Sequence, residues 1–241
     1  MALLTLALVR NEMSRWFPSA LHAWASFSDE IIILDDGSTD GTREHAITFG
    51  ARTFARDNVV AAWGAEASAR EQLFNLGWAH ARIGDYLMVL DADMVPARSP
   101  RVLMETEADA VAFPLYDIWR IDDEGRIFYR VDGAWRAHLF PRVWLFKKRA
   151  IPAESFMWST RGIHTGHLPV NPEFMSLAYA PPDHGLLHYA YSTQELREEK
   201  YASYATQAHQ LTDFELAHAR SIMDKRVETE ELTFVPDLVL A

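Results

Sequence analysis

The run from Ile31 to Thr42, IIILDDGSTDGT, constrains the fold of this chain more than any other segment. Four large apolar residues precede two carboxylates and a glycine-containing turn, a pattern typical of a buried parallel strand that leads into a helix. Ligands of α/β proteins bind at the carboxyl ends of such strands, so Asp35 and Asp36 are predicted to bond the base or ribose of a nucleotide. An ordinary strand-to-helix turn with solvated acids would explain the same residues.

A second segment of the same kind ends in the carboxylates Asp91 and Asp93. The preceding residues 85–90 predict another buried strand. Residues i and i+2 of an extended segment share a face, so these two side chains are expected to converge on one divalent cation, which prefers oxygen ligands and bridges two phosphates. An Asp-x-Asp triplet alone is weak evidence, but its place after a buried strand favours a metal site.

With these two motifs, the first hundred residues resemble the family 2 glycosyltransferases. The resemblance rests on LVRNE at residues 8–12, DDGSTDGT at residues 35–42 and LDAD at residues 90–93. It implies an α/β protein with the glycosyltransferase A fold, in which a Rossmann-like, mixed but mostly parallel central sheet is flanked by helices. It also implies a nucleotide-sugar donor, with a UDP-sugar as the first choice, a divalent Mn or Mg ion, and inversion at the anomeric carbon.

The composition predicts one catalytic domain over residues 1–241, because 49% of the residues are apolar and no linker or repeat divides the chain. We expect a nucleotide-sugar and metal-binding half at 1–95, an acceptor-binding half at 96–191, and C-terminal helices with a tail at 192–241. The lack of cysteine excludes disulfide and thiol chemistry and favours the cytoplasm. No apolar run reaches the ~20 residues of a membrane span, and residues 1–9 are expected to form the first strand instead of a signal peptide.

Two arginines of the donor half are candidates for contact with the donor. Strands and helices are predicted to alternate: strands at 3–9, 31–34, 51–54 and 85–90, and helices at 14–27, 41–49 and 65–82. Arg10 follows the first strand, where the resemblance places the edge of the donor site. Arg70 stands where family members often carry an arginine near the donor diphosphate, and its planar fork suits that anion. An ion pair with Glu66, four residues earlier on the helix, is the alternative.

The acceptor half is expected to begin after Asp93. Residues 111–150 alternate aromatic and charged side chains, which predicts strands with one wet face and a turn at residues 122–125. One interpretation is a hairpin packed under the core with its basic residues outward. The other is an acceptor platform, since sugars and bases both stack on aromatic faces.

Four of the ten histidines lie between residues 164 and 188, namely His164, His167, His184 and His188. The resemblance places His188 as a metal ligand beside Asp93, and a neutral imidazole suits Mn. A buried histidine bonded to the backbone is the alternative. Family members often carry a His-Glu pair whose glutamate is the catalytic base, but here Thr165 follows His164. Asp183 is therefore our first candidate for the base, with a turn cap as the alternative, and His164 is the second.

The resemblance predicts a metal-dependent, inverting transfer of a sugar to an acceptor hydroxyl, on a saccharide, a lipid-linked molecule or a small molecule. A net charge of −11 argues against broad electrostatic binding to nucleic acid or to an anionic membrane, although charge can be local. The basic stretch 142–149 nevertheless keeps open a phage-type DNA glycosyltransferase that acts on flipped 5-hydroxymethylpyrimidine bases. A nucleotidyltransferase is disfavoured by the loop after the first strand, which is not rich in glycine. A non-catalytic nucleotide-sugar-binding module is disfavoured by the retained metal-ligand candidates.

Overall fold

The structure is a computed structural model that describes residues 1–56, 66–106, 108–158, 167–169, 176–206 and 208–240. Within these ranges α-helices and two β-sheets form the fold. The α-helices are α1 (Phe17–Ala25), α2 (Thr42–Phe49), α3 (Glu66–His80), α4 (Gln194–Ala205) and α5 (Asp213–Ser221). The strands are β1 (Leu3–Val9), β2 (Glu30–Asp35), β3 (Arg52–Ala55), β4 (Tyr86–Asp91), β5 (Met94–Pro96), β6 (Ala110–Phe113), β7 (Leu115–Ile121), β8 (Ile127–Arg130), β9 (Arg142–Lys147), β10 (Leu177–Tyr179), β11 (Leu186–His188) and β12 (Thr229–Glu231).

The larger sheet has the strand order β10-β6-β9-β4-β1-β2-β3. Strands β4, β1, β2 and β3 run parallel, whereas β9 is antiparallel to both of its neighbours, β4 and β6. Parallel neighbours need crossover connections, and α1, α2 and α3 lie in the three connections from β1 to β4. The predicted α/β class, with a mixed and mostly parallel sheet, is confirmed.

Helices cover both faces of the parallel strands because the side chains of β1 alternate between two cores. Leu3 and Ala7 share a core with residues of α1, while Leu4 and Leu6 share the other with residues of α3. A glycine brings α3 close to the sheet, since a Cβ on Gly77 would lie 2.4 Å from the Leu6 side chain. With both faces covered, the loops at the strand ends are the part of this half that is open to a ligand.

The smaller sheet, in the order β12-β8-β7-β11-β5, brings side chains from later in the chain to the end of β4. Strands β7 and β8 form the predicted hairpin, and the side chain of Asp122 accepts the amides of Glu124 and Arg126 in its turn. Strand β11 runs parallel to β7 and antiparallel to β5. Strand β5 follows β4 after a two-residue turn. Because β11 pairs with β5 and β7 pairs with β11, both strands lie beside the Asp-x-Asp motif at this turn.

The helix boundaries follow local capping. Helix α1 begins at Phe17, later than predicted, because the amide of Arg15 bonds the carbonyl of Glu12 in a preceding turn. Helix α2 ends at Gly50 as predicted, with a φ of 99° that glycine adopts without strain. Thr193 caps α4, and Thr212 forms a capping box at the start of α5. None of the helices in the described ranges is long and apolar enough to cross a membrane.

Candidate active site

The carboxyl ends of β1, β2 and β4 meet at one edge of the larger sheet. The register pairs Val9 with Asp35 and Leu8 with Asp91, so the residues that follow each strand are neighbours. This edge brings together the loop at residues 10–12, the Asp35 turn and the Asp-x-Asp motif. The sequence-predicted donor and metal residues therefore do lie on one edge of the fold, where ligands of open α/β sheets bind.

Side-chain bonds lock the first two of these loops together. Asn11 adopts a φ of 54°, a left-handed conformation that asparagine tolerates better than most residues. Its amide donates to Ser38 Oγ at 3.0 Å, and its side-chain oxygen accepts from the Thr39 amide at 2.8 Å. The Glu12 amide donates to Thr42 Oγ1 at 2.8 Å. The loop after β1 is thus held against the start of α2 before any ligand binds.

The two adjacent carboxylates of the second loop have different surroundings. Asp35 is only 3% exposed and accepts the amides of Gly37 and Ser38, so its carboxylate shapes the turn. Asp36 lies 2.7 Å from Arg56 Nη1 and 3.5 Å from Arg10 Nη1. Of the three sequence-predicted residues in these loops, Arg10 and Asp36 thus remain accessible to solvent, while the carboxylate of the buried Asp35 bonds the backbone of its own turn.

Each oxygen of the Asp91 carboxylate contacts the side chain of another residue. Arg70 Nη2 lies 2.7 Å from one oxygen, and His167 Nε2 lies 3.0 Å from the other. Burial by itself would raise the pKa of Asp91. Arg70 and His167 outweigh burial and hold this pKa well below its ordinary value. Arg70 also contacts Glu66 at 3.3 Å, so the predicted helix ion pair is present as well. Arg70 Nη1 is buried and has no partner among the described residues.

The chain turns at Ala92, directly after the first carboxylate of the Asp-x-Asp motif. Strand β4 ends at Asp91, and the expectation of a shared face on one extended strand is wrong, because Ala92 and Asp93 form a turn into β5. Asp93 instead approaches His188, with 3.6 Å between its Oδ1 and the imidazole Nε2. The predicted pairing of Asp93 with His188 is thus present in the geometry.

A third residue orients His188. The parallel register of β11 and β7 places His188 opposite Asp117, whose Oδ1 lies 2.7 Å from Nδ1 of the imidazole. Against the cost of burial, the charges of Asp93 and Asp117 raise the pKa of His188. A carboxylate on Nδ1 fixes the ring and leaves Nε2 facing Asp93, which is the outer-shell arrangement common behind metal-binding histidines.

The side chains beside Asp93 supply some, but not all, of the ligands that a hard divalent cation needs. No group of three His, Asp or Glu side chains in the described ranges is arranged to hold a metal ion by itself. Asp93 and the oriented His188 provide two adjacent ligand atoms, whereas both oxygens of Asp91 are engaged by other side chains. Protein sites for Mg²⁺ commonly use one or two carboxylates and complete the shell with substrate phosphates and water. Asp93 and His188 suit such an open site.

Asp183, the first sequence-predicted base, is not brought to this pair. Asp183 lies in a turn before β11 and is 42% exposed, with Arg98 and His184 each 3.1 Å from its carboxylate. Its bonds to His184 and Arg98 lower its pKa. The antiparallel ladder with β5 places this turn beside Ala97, at the opposite end of β11 from His188. His164 lies outside the described residues, so its role stays a prediction.

Glu12 and Lys200 are site residues that sequence reasoning did not single out. Burial and the negative charge of Asp93 raise the pKa of Glu12 to about 7. Against the cost of burial, Tyr204 and the acids of the site raise the pKa of Lys200, which lies on α4. Helix α4 is tied to the loop after β1 by an ion pair of 2.9 Å between Glu199 and Arg15. Helix α4 therefore contributes a cation to the candidate site.

His167 also enters the site, together with Trp144 of β9. An irregularity in the pairing of β6 with β9 leaves Trp144 without an opposite residue, and its ring centroid lies 4.2 Å from that of His167. Such bulges re-aim side chains near functional sites. Trp144 Nε1 is buried and has no hydrogen-bond partner within the described part of the chain. The sequence signal for His167 was only its membership of the histidine cluster.

The basic side chains of the stretch 142–149 lie at the two opposite ends of β9. Lys147 lies over the Tyr86 ring, and Lys148 donates to the carbonyl of Trp78. Arg149 pairs with Asp109. These three cations are engaged at the end of β9 remote from the acids, because β9 runs antiparallel to β4. Only Arg142, at the start of the strand, lies at the edge that carries Asp91.

A family model described as "Glycosyl transferase family 2" matches residues 9–165, well over half of the chain. The chain belongs to this family. The matched segment includes the loops after β1 and β2, the Asp-x-Asp motif, Arg70 and Asp117. His188 and Lys200 lie beyond it. No curated protein sequence matches the chain at a significant level.

Solved structures similar to the chain include glucosyl-3-phosphoglycerate synthase from Mycobacterium tuberculosis. Its complex with Mn²⁺, UDP and glucosyl-3-phosphoglycerate is 22% identical, with a TM-score of 0.35 over 48% of this chain and 44% of that chain. Its complex with Mg²⁺ and UDP is 20% identical, with a TM-score of 0.34 over 48% and 43%. The chain thus spans less than half of the length of these structures, and a likeness at this level carries no argument about activity.

Proposed function

We propose that this chain transfers a sugar from a nucleotide-sugar donor to an acceptor hydroxyl, with inversion and with a divalent metal ion. The observation that carries the proposal is the meeting of Asp93, His188 and Asp117 beside Asp91 at the sheet edge, in a chain of the family-2 glycosyltransferases. Family membership favours sugar transfer over nucleotidyl transfer or simple binding.

The donor is proposed to lie along the loops after β1, β2 and β4. Asp36, with Arg10 beside it, would bond the ribose or base, while Asp35 bonds the backbone of its turn. Arg70 and Lys200 are cations beside the acids, and they would offset the charge of a diphosphate. UDP is our first choice of nucleotide.

Asp93 and His188 would hold the metal ion, with Asp117 orienting the imidazole. When bound, Mn²⁺ or Mg²⁺ neutralises the charge that grows on a diphosphate leaving group. Asp91 is assigned a positioning role, because Arg70 and His167 occupy its two oxygens. This differs from the expectation that Asp91 is itself a metal ligand.

Inversion requires a base that takes the proton of the acceptor hydroxyl as this oxygen attacks the anomeric carbon. Asp183 and His164 remain the proposed candidates, although Asp183 lies at the far end of β11. Kinetics of Asp183→Asn and His164→Ala decide between them, since only loss of the true base lowers kcat while donor binding persists.

A saccharide, a lipid-linked molecule or a small molecule is proposed as the acceptor. DNA is a weaker alternative than the sequence suggested, because Lys147, Lys148 and Arg149 are engaged within the protein. A continuous row of free cations would be expected of a site that tracks a phosphate backbone.

The test is thermal stabilisation and donor hydrolysis with UDP-, GDP-, CMP- and dTDP-sugars, each with and without Mn²⁺. Metal-dependent stabilisation by one nucleotide sugar, lost in Asp93→Asn and retained in Asp122→Asn, is the expected result. Asp122 is a matched control because it also pairs with a cation but lies in the exposed β7–β8 turn. No response to any donor would overturn the proposal.

A further inference from the structure

The segment between β8 and β9 presents two adjacent large apolar side chains to solvent. Leu139 is 61% exposed and Phe140 is 67% exposed. Single exposed apolar residues are ordinary on protein surfaces, but two neighbours on one short turn form a projection that the described residues leave uncovered. This projection, residues 136–142, ends at the start of β9.

Two arginines flank the apolar pair. Arg136 and Arg142 are both exposed. In the described part of the chain neither has a carboxylate within 4 Å, in contrast to other exposed arginines such as Arg52 and Arg126, which are paired with acids. A chain with a net charge of −11 therefore carries a local cationic rim around its most exposed apolar pair.

Ring packing fixes the start and the middle of the projection. Before it, Trp135 is buried and contacts Trp119 and Tyr191 in ring–ring packing. Within it, His138 stacks on Tyr116, with 6.0 Å between ring centroids. The exposure of Leu139 and Phe140 is thus imposed by neighbours that are packed, and it does not come from a loose end of the chain.

The projection also lies at the edge of the sheet that carries the acids. Strand β9 is antiparallel to β4, so Arg142 at its start is at the same edge as Asp91 at the end of β4. Two residues further on, Trp144 contacts His167, which bonds Asp91. Residues 136–142 therefore lead into the end of β9 that lies at this edge of the sheet.

We propose that residues 136–142 dock on the surface of an anionic lipid bilayer. Leu139 and Phe140 would enter the boundary between head groups and acyl chains, and Arg136 and Arg142 would lie among the anionic head groups. Charge complementarity selects this occupant. Base stacking on single-stranded nucleic acid uses aromatic rings, and one half of the apolar pair is aliphatic. An acyl environment accepts both side chains.

Docking is a property beyond sugar transfer and can be measured without it. Its consequence for the reaction, which does rest on the proposed function, is that the acceptor hydroxyl belongs to a lipid-borne molecule presented at the bilayer surface. Failure of nucleotide-sugar binding would leave the docking result standing, so the two proposals fail separately.

The experiment is cosedimentation of the full chain with phosphatidylcholine vesicles, with and without phosphatidylglycerol at about one lipid in three. We expect binding only to the anionic vesicles, weakened by salt. Leu139→Ser with Phe140→Ser is expected to lower the partition coefficient about tenfold or more, since each side chain contributes apolar burial. Arg136→Gln with Arg142→Gln is expected to remove the preference for anionic lipid.

Matched controls use exposed residues outside the projection. Phe214→Ser changes another highly exposed aromatic residue, on α5, and Arg52→Gln with Arg126→Gln removes two exposed charges that are paired with acids. Both controls should bind vesicles as the unchanged protein does, and far-ultraviolet circular dichroism should show all variants folded.

Three results would overturn docking on lipid. The first is no sedimentation with anionic vesicles at low salt. The second is binding that the control pairs lower as much as the projection pairs do. The third is a projection that serves another partner: arginine-dependent binding of single-stranded DNA without vesicle binding, or self-association on size exclusion that Leu139→Ser with Phe140→Ser abolishes.

Discussion

Glu12→Gln is expected to stabilise the ligand-free protein above pH 7. The folded protein raises the pKa of Glu12 from 4.5 to about 7, chiefly by burial and by the charge of Asp93. Between these pH values the folded state binds more protons than the unfolded state, so stability falls as pH rises through this window. The shift corresponds to ~3 kcal/mol. The variant also loses the contact with Arg15, so we expect a net gain of about 2 kcal/mol at pH 8.

The assay is urea unfolding of the unchanged protein and the variant at pH 5 and pH 8. Glu199→Gln is the matched control, because Glu199 pairs with the same Arg15 but lies on the exposed side of α4. Removal of an exposed ion pair changes stability by about 0.5 kcal/mol or less, so the control should show no step between the two pH values.

The pH dependence of the difference decides the result. We expect Glu12→Gln to be close to neutral at pH 5 and stabilising at pH 8, with unchanged m-values. An equal effect at both pH values would refute the explanation that the gain comes from removing a buried charge that lies close to Asp93. A destabilised variant at pH 8 would show that the folded protein stabilises the ionised Glu12 carboxylate. That result would contradict the unfavourable effect expected from burial and from the nearby acids.

Other expected outcomes concern the metal pair, the core and acid stability. Asp117→Asn should weaken Mn²⁺ binding about 10–100-fold in calorimetric titration, because His188 loses the carboxylate that orients it, while an unchanged affinity would contradict this role. Gly77→Ala should cost about 1–3 kcal/mol in urea unfolding, since its Cβ meets the buried Leu6, and a neutral result would mean that α3 can shift freely. Burial raises the pKa of Asp29, but bonds from the Leu3 amide and Arg101 together lower it by more. The ionised carboxylate therefore stabilises the folded state above the unfolded pKa of Asp29, and this stabilisation is lost in acid. Asp29→Asn should therefore flatten the fall in stability below about pH 4, and an unaltered slope would contradict it.

The fold of the donor half could be predicted because its signals are local. Continuous apolar runs ending in acids define β2 and β4, and Gly50 ends α2 where the sequence indicates. Parallel strands bring their carboxyl ends to one edge, so Asp36 and Asp91 could be placed together without knowledge of any distant contact.

The metal pair could be predicted only in part because its geometry depends on distant pairing. The chain turns at Ala92 so that β5 can pair with β11, and this pairing, not the spacing of the Asp-x-Asp motif, brings Asp93 to His188. Asp117 carried one usable signal that sequence reasoning missed. An acidic residue inside an apolar strand needs a buried partner, and the register with His188 supplies it.

The ion pair between Arg15 and Glu199 is one of several contacts that join the family-matched segment to later parts of the chain. Residues 9–165 carry the family pattern, but half of the Asp93–His188 pair and the cation Lys200 come from later in the chain, and α4 is fastened directly onto the loop after β1. A fragment cut at residue 165 would expose the apolar faces of β7 and β5 that β11 covers. Transplanting the matched segment alone into another protein would therefore leave out His188, Lys200 and the contact of α4 with Arg15.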